Sequence, residues 1–498
     1  MPTAHFSRAE HRRPRRTRLT FGTTARAVRD LGHLLRFRAA TVRRPRLVAV
    51  ALAVLGLVTA AVVVVPAWGE VDPAVVRLVQ PALLGVALVA VGGAAAAGGG
   101  RELLGRDAAA VHPISPLTDH LGALLLAPLS AGWLIQAWAL LGLASAVGAP
   151  GAAVVATCWL VAVTALAQAA GWASEWLRRR HRGLLVVRLA LPVAIGGLLA
   201  VGPVAVVAAV VRDGGRGPVA AVVVTLLVAT CGLVAVGARL AAVVARMAPR
   251  DEGLLETRAH APRPTPRSDF VVLRRMDRGS VWRSAPLRRG SWLLALAPGS
   301  IAVAGGLDWS ALVMMPGLVA SGCVLLFGVN LWCLDGRGML WRETLPVAPG
   351  VVVAARAWVL AELLVGAGLV TLALGALRAG RPTTTELVAV LLALVVVVGQ
   401  SVSAALRWSA AHPHAVDLRS ARATPAPPLA MVGYSLRLAA ASTVAGLLLT
   451  GLASAGRVDL LLAVAAVALL VSALRIAQSV RRWADPVARA EVVAAVAA

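Results

Sequence analysis

Long apolar runs recur along this chain, and they limit its fold more than any other feature. Stretches such as LVAVALAVLGLVTAAVVVVP from Leu47 and ELVAVLLALVVVVGQSVSAAL from Glu386 carry almost no charge. About 20 such residues in a helix cross the ~30 Å hydrocarbon layer of a bilayer. Composition supports the same conclusion. Hydrophobic residues make up 59% of the 498 residues and charged ones 14%, where a soluble protein carries about a quarter charged. Mean hydropathy is +0.80. A membrane β-barrel would show short alternating segments instead. The expected fold is all-α, a polytopic membrane protein lying in the lipid bilayer.

Twelve runs have spanning length: Leu47–Pro66, Leu78–Ala97, Leu121–Val147, Ala152–Ala173, Leu184–Val211, Val219–Val244, Pro286–Ala304, Ser310–Leu334, Val351–Leu377, Glu386–Leu406, Leu429–Leu452 and Val458–Val480. A polar stretch divides them six and six. The predicted organisation is a basic cytoplasmic N-terminus over 1–46, a first six-helix half over 47–244 and a linker over 245–285. A second six-helix half follows over 286–480, then a cytoplasmic tail over 481–498. Thr23–Arg44 has Val28, Leu31, Leu34 and Leu35 at helical spacing among arginines, the pattern of an amphipathic helix in the membrane interface. Ser268–Arg289 opens the second half with a similar basic, partly amphipathic segment. No cleavable signal peptide is expected, because the polar N-terminus precedes the first apolar run.

The net charge is +26, and all 49 basic residues outside histidine are arginine. This bias, with abundant Ala, Val and Gly, fits a high-GC bacterial coding sequence. The absence of lysine excludes a G-x-x-x-x-G-K-[ST] phosphate loop and a lysine Schiff base. The pI near 11.8 does not imply nucleic acid, since the arginines fall between the apolar runs as the positive-inside rule requires. Under a cytoplasmic N-terminus, only Arg77, Arg212, Arg216, Arg378, Arg381 and Arg457 stand outside. Both termini are therefore expected in the cytoplasm, with the chain in a bacterial cytoplasmic membrane. Trp68 and Trp309 fall at outer span ends, and Trp172, Trp176, Trp332, Trp408 and Trp483 at inner ones, where interfacial indoles belong.

The two halves share a local similarity. Gly105 leads through RDAAAV to HPISP at His112–Pro116, and Gly338 leads through MLWRET to LPVAP at Leu345–Pro349. Gly105 to Gly338, Pro113 to Pro346 and Pro116 to Pro349 all share one offset. A duplicated six-helix unit accounts for this.

The segment NLWCLDGRGMLWRETLPVAPGVVVAARAW from Asn330 resembles the cytoplasmic segment of ABC-2 type transporter permeases. Asp335 and Gly336 match an Asp-Gly pair, Leu345, Pro346 and Val347 a Leu-Pro-Val triplet, and Arg356 the basic residue where the next helix enters. The first half keeps His112, Pro113 and Ile114, but Ala123 stands at the basic position and no Asp-Gly pair precedes it. The resemblance implies the membrane subunit of an ABC exporter with both halves fused, partnered by two copies of a separately encoded ATPase. It also implies a short coupling helix that presents Arg337, Trp341, Arg342 and Glu343 to that ATPase, between Pro-rich turns at Pro346 and Pro349 and with His112, Pro113 and Pro116 as first-half counterparts. A twelve-helix secondary transporter of the major facilitator kind is the alternative. GRELLGRDAAAVHP after the second span lacks the G-x-x-x-D-R-x-G-R-R signature expected there. A membrane scaffold without transport is a third possibility.

Among polar residues inside the spans, Glu362 stands out in WVLAELLVGAG. Intramembrane ionisable groups are functional candidates, and a structural interhelical hydrogen bond is the other reading. Arg356 lies six positions away and so on another helix face. Gln136, Gln168, Asn330 and Gln400 invite the same two readings. His412 and His414 alone are too few to hold a metal, and Cys158, Cys231, Cys323 and Cys333 show no zinc spacing. Neither H-E-x-x-H nor G-x-S-x-G occurs, so no catalytic residue, cofactor or metal is expected.

Overall fold

The computed structural model describes residues 21–40, 45–69, 71, 73–97, 114–129, 131–149, 151–180, 200, 202–247, 264–416, 418 and 424–498. Among these the chain is all-α. In the first half, α1 spans Phe21–Ala40, α2 Pro45–Val64, α3 Pro73–Ala97, α4 Pro116–Leu126, α5 Ala131–Val147, α6 Ala152–Arg180, α7 residues 202–213 and α8 Arg216–Arg246. The second half carries α9 (Asp269–Arg283), α10 (Ala285–Gly305), α11 (Trp309–Leu312), α12 (Met315–Ser321) and α13 (Met339–Glu343). Four long or terminal helices follow: α14 (Pro349–Ala376), α15 (Thr384–Ala411), α16 (Pro428–Ser454) and α17 (Val458–Ala484), with α18 (Pro486–Ala497) last.

Among the described residues, seven helices are long and apolar enough to cross a membrane: α3, α6, α8, α14, α15, α16 and α17. Their starts are set by ordinary local chemistry. Thr383 and Glu386 form a reciprocal capping box at α15, and proline occupies the first turn of α14 and α16, where its missing N–H costs nothing.

Two predicted spans are not single helices. Leu121–Val147 breaks at a 3-10 turn over Ala127–Leu129, because Pro128 supplies no N–H and its ring clashes with the preceding turn. Ser310–Leu334 is more fragmented. After α11 and α12 the backbone passes through 3-10 turns at Gly322–Leu325 and Leu331–Leu334. Pro316, Gly317, Gly322 and Gly328 punctuate this run, and its apolar composition concealed the breaks. Gly322 lies so close to Leu294 that a Cβ would sit 2.5 Å from the Leu294 Cδ1. Residues 184–199 of the fifth predicted span lie outside the described residues. At the chain's end, α17 runs through to Ala484 and α18 folds back against α13 and α17.

Packing pairs recur between the halves. α1 packs on α4 and α9 on α14; α5 packs on α6 and α14 on α15; α6 packs on α8 and α15 on α17. The halves meet where α3 lies against α10, with Gly93 close enough to Leu293 that a Cβ would approach its Cδ2 to 3.2 Å. Three of the expected interfacial tryptophans are instead core residues: Trp172, Trp332 and Trp483 are all buried. Trp172 is held by His120, to whose Nδ1 its indole donates at 3.2 Å.

Candidate functional site

The segment from Asn330 folds around a cluster of four charges, of which Asp277, Arg342 and Arg356 are buried and Asp335 is partly exposed. α9 carries an apolar stripe of Leu273 and Val281, and Asp277 lies on that same face, buried between them. α14 contributes Arg356, which is fully buried. The turn after Leu331–Leu334 supplies Asp335, and α13 supplies Arg342. Gly336 adopts a left-handed conformation with φ +49°, which only glycine reaches without strain. It turns the chain from Asp335 into α13, and this accounts physically for the Asp-Gly pair.

Every nitrogen of the Arg356 side chain is engaged. Its Nε donates to Asp277 Oδ2 at 2.9 Å, and its Nη2 donates to Asp277 Oδ1 at 3.0 Å and Asp335 Oδ2 at 2.7 Å. Its Nη1 donates to the Leu331 carbonyl. Arg342 Nη1 completes the arrangement, 2.9 Å from Asp277 Oδ1 and 2.8 Å from Asp335 Oδ1. Two cations and two anions thus neutralise one another, as charges in a low-dielectric interior must. Burial alone pushes the Asp335 carboxyl up, but Arg356 and Arg342 outweigh it and hold Asp335 below the usual carboxylate range.

Aromatic packing closes the cluster. The Arg356 guanidinium lies 5.6 Å from the Trp332 ring centre, and Trp332 stacks on Trp483 of α17 at 3.8 Å. Asn330 anchors the irregular backbone, donating from Nδ2 to the His414 carbonyl at 2.8 Å and the Pro425 carbonyl at 3.0 Å. The Leu331 N–H donates to Ser409 Oγ at 2.8 Å. Non-helical backbone at the end of a membrane bundle requires such internal partners.

The structure therefore brings Asp335, Arg342 and Arg356 together and adds Asp277. Arg342 does not present itself on the surface of α13 as the sequence suggested. Its side chain turns inward, where it pairs with the buried Asp277 and with Asp335. Leu340, Trp341 and Glu343 form the outer face of α13, with Leu340 and Trp341 each 58% exposed, and Arg337 is exposed in the turn before it. Glu343 accepts an ion pair from Arg489 of α18 at 2.9 Å. Pro346 lies exposed beyond it, and Pro349 opens α14. Pro116 likewise opens α4, capped by Ser115; His112 and Pro113 lie outside the described residues.

Glu362 is not isolated in hydrocarbon. It pairs with Arg274 and, at 3.0 Å, with Arg278, both from α9, and it accepts from Trp358 Nε1 at 2.5 Å. Arg356 is not its partner, in keeping with their different helix faces. Among the described residues no three His, Cys, Asp or Glu side chains come together to hold a metal ion.

No protein-family model, curated protein or solved structure matches this chain significantly.

Proposed function

We propose that the chain is the membrane permease subunit of an ABC transporter, an exporter with two fused six-helix halves. In this reading it lies in a bacterial cytoplasmic membrane with twelve crossings and both termini in the cytoplasm. A separately encoded ATPase, in two copies, docks on it and supplies the energy. The observation that carries the reading is the pairing of an exposed short helix with a rigid base. α13 displays Leu340 and Trp341, with Arg337 exposed in the turn before it, while Arg342 on its opposite face is locked to Asp277 and Asp335. A partner pushing on α13 would move α9 and α14 with it, since Asp277 and Arg356 join all three. Tryptophan and arginine on a firm base are among the residue types that dominate interface energetics.

The test is co-purification of the ATPase with the full chain from detergent extracts at matched expression. Replacing Leu340 and Trp341 with alanine is expected to weaken association by roughly 2 kcal/mol or more, with insertion unchanged. Arg180→Ala at the end of α6 is the control. Arg179 is unsuitable for that purpose, because it pairs with Glu175 and donates to the Val244 carbonyl at the end of α8. Full ATPase retention by the Leu340/Trp341 variant, with loss in Arg180→Ala, places the dock elsewhere. ATP hydrolysis by the purified chain alone would end the permease reading.

A further inference from the structure

Beside the charge cluster lies a cavity of about 310 Å³, lined among others by Arg342, Arg489, Trp483, Leu345, Pro349 and Val352. It reaches the lower bound of sites that accept small organic molecules. Its charged lining is Arg342 and Arg489 together with the carboxylate of Glu343. Arg342 is buried and spends only Nη1 on the two aspartates; its Nε and Nη2 have no hydrogen-bond partner. The Trp483 indole N–H is also buried and unpartnered. Arg489 adds a second guanidinium, partly occupied by Glu343. α14 begins at this wall with Ala348 at its N-cap and no side-chain cap, so the positive end of a 28-residue helix faces the same space.

Buried donors without acceptors are costly, and a hydrogen-bond acceptor entering the cavity offsets that cost. We infer that this cavity binds a phosphate-bearing anion, and that its position favours the phosphodiester of an anionic lipid headgroup. α14 and α17, both long and apolar enough to cross a membrane, reach the cavity through Pro349, Val352 and Trp483 near their ends. Helix ends of this kind lie at headgroup depth. Leu345, Pro349 and Val352 offer apolar surface to the glycerol and upper acyl carbons, while Arg342, Arg489 and Trp483 take the phosphate oxygens through N–H donors. This inference does not depend on the transport reading.

Glu343 gives the site a distinctive sign. Its carboxylate competes with the anion for Arg489, so removing that charge should tighten binding. A purely structural role for these residues makes the opposite prediction.

The experiment titrates the full-length chain in neutral detergent with short-chain phosphatidylglycerol, short-chain phosphatidylcholine and inorganic phosphate separately. It follows thermal unfolding and bound lipid by native mass spectrometry. Phosphatidylglycerol should stabilise the protein more than phosphatidylcholine. Trp483→Phe, which keeps the stack on Trp332 but removes the N–H, and Arg489→Gln should each weaken binding about tenfold, the scale of one charge-assisted hydrogen bond. Glu343→Gln should strengthen it, and Arg482→Gln, an exposed arginine on the same helix end, should leave it unchanged. If inorganic phosphate competes as well as phosphatidylglycerol, the phosphate site stands and its ligand is a soluble anion. Equal stabilisation by phosphatidylcholine, or equal loss in Arg482→Gln and Arg489→Gln, overturns the proposal.

Discussion

Arg356 of α14 holds Asp277 of α9 through the Nε and Nη2 edge of its guanidinium, at 2.9 and 3.0 Å. The two residues are 79 positions apart, and neither side chain reaches solvent to any useful degree. A bidentate pair of this kind fixes orientation as well as distance. It sets how α9 lies along α14, and through Asp335 and Arg342 it sets where α13 stands.

Asp277→Asn should therefore be among the most damaging single changes in the chain. It leaves two buried guanidiniums facing one carboxylate, and breaking a buried pair costs about 3–5 kcal/mol because the survivor is uncompensated. The expected result is a large fall in the thermal transition of the detergent-purified protein. Pairing Asp277→Leu with Arg342→Leu should restore part of that loss, since the cluster acts as one unit. Additive losses in the double variant would show that the cluster is not coupled.

Acid should loosen the same region. Asp335 is depressed below the ordinary carboxylate range by Arg356 and Arg342, acting against its burial. Its folded state thus holds a proton less readily than its unfolded state. The stability this contributes is fully present above about pH 4 and is lost as pH falls through the depressed value. Asp335→Asn should flatten that acid limb of the unfolding profile. An unchanged acid limb would assign the pH dependence to other carboxylates.

The sequence made part of this site legible and hid the rest for definable reasons. Asp335, Arg342 and Arg356 lie in one matched segment, and a resemblance could name them. Asp277 sits in another segment among arginines, yet it had a local signal. It occupies the position between Leu273 and Val281 on the apolar stripe, four residues from each, where an acidic side chain must find a buried cation. Apolar composition located the long helices well, because hydropathy over a window measures what a bilayer selects. It could not detect the breaks in Ser310–Leu334, where proline and glycine are themselves tolerated in apolar runs. Nor could it separate an interfacial tryptophan from a stacked one such as Trp332, since that depends on Trp483, far along the chain.

Glycine contacts offer a sharper test of the second half. At Gly290 of α10 a Cβ would overlap the Leu325 carbonyl, which belongs to the irregular stretch after α12. Backbone cannot step aside as a flexible side chain can. Gly290→Ala should destabilise the protein by more than about 1 kcal/mol. Gly279→Ala in α9 meets nothing within 4 Å and should stabilise by roughly 0.5–1 kcal/mol through helix propensity alone. Reversal of that order in thermal unfolding would mean that α10 and the Gly322–Leu325 turn do not approach as closely as described.

Topology can be read with reporters. From the arginine distribution, the connections at Gly69, Gly215 and Gly380 are expected outside and those at Arg263 and Arg419 inside. Alkaline phosphatase fusions should be active at the first three and inactive at the last two. Activity at Arg419 would invert the second half and remove α13 from the cytoplasm.

Glu362 provides the last test, because its two readings differ in what they predict. Its carboxylate joins α14 to α9 through Arg274 and Arg278, and Arg274 also lies 5.7 Å from the Trp358 ring centre. Phe270 meets that ring edge-on at 6.2 Å. These contacts clamp the exposed flank of α9 to α14. The side chains are partly solvent-exposed, so screening limits the pairs to about 1 kcal/mol in total. Glu362→Gln should lower the thermal transition slightly, and less so in high salt, where the wild-type pairs are already weakened. It should also raise hydrogen exchange along 269–283 while leaving the Asp277 cluster protected. A proton- or substrate-handling role would instead leave α9 exchange unchanged and make its effect appear only during turnover. Unaltered exchange over 269–283 in Glu362→Gln would therefore set the clamp aside.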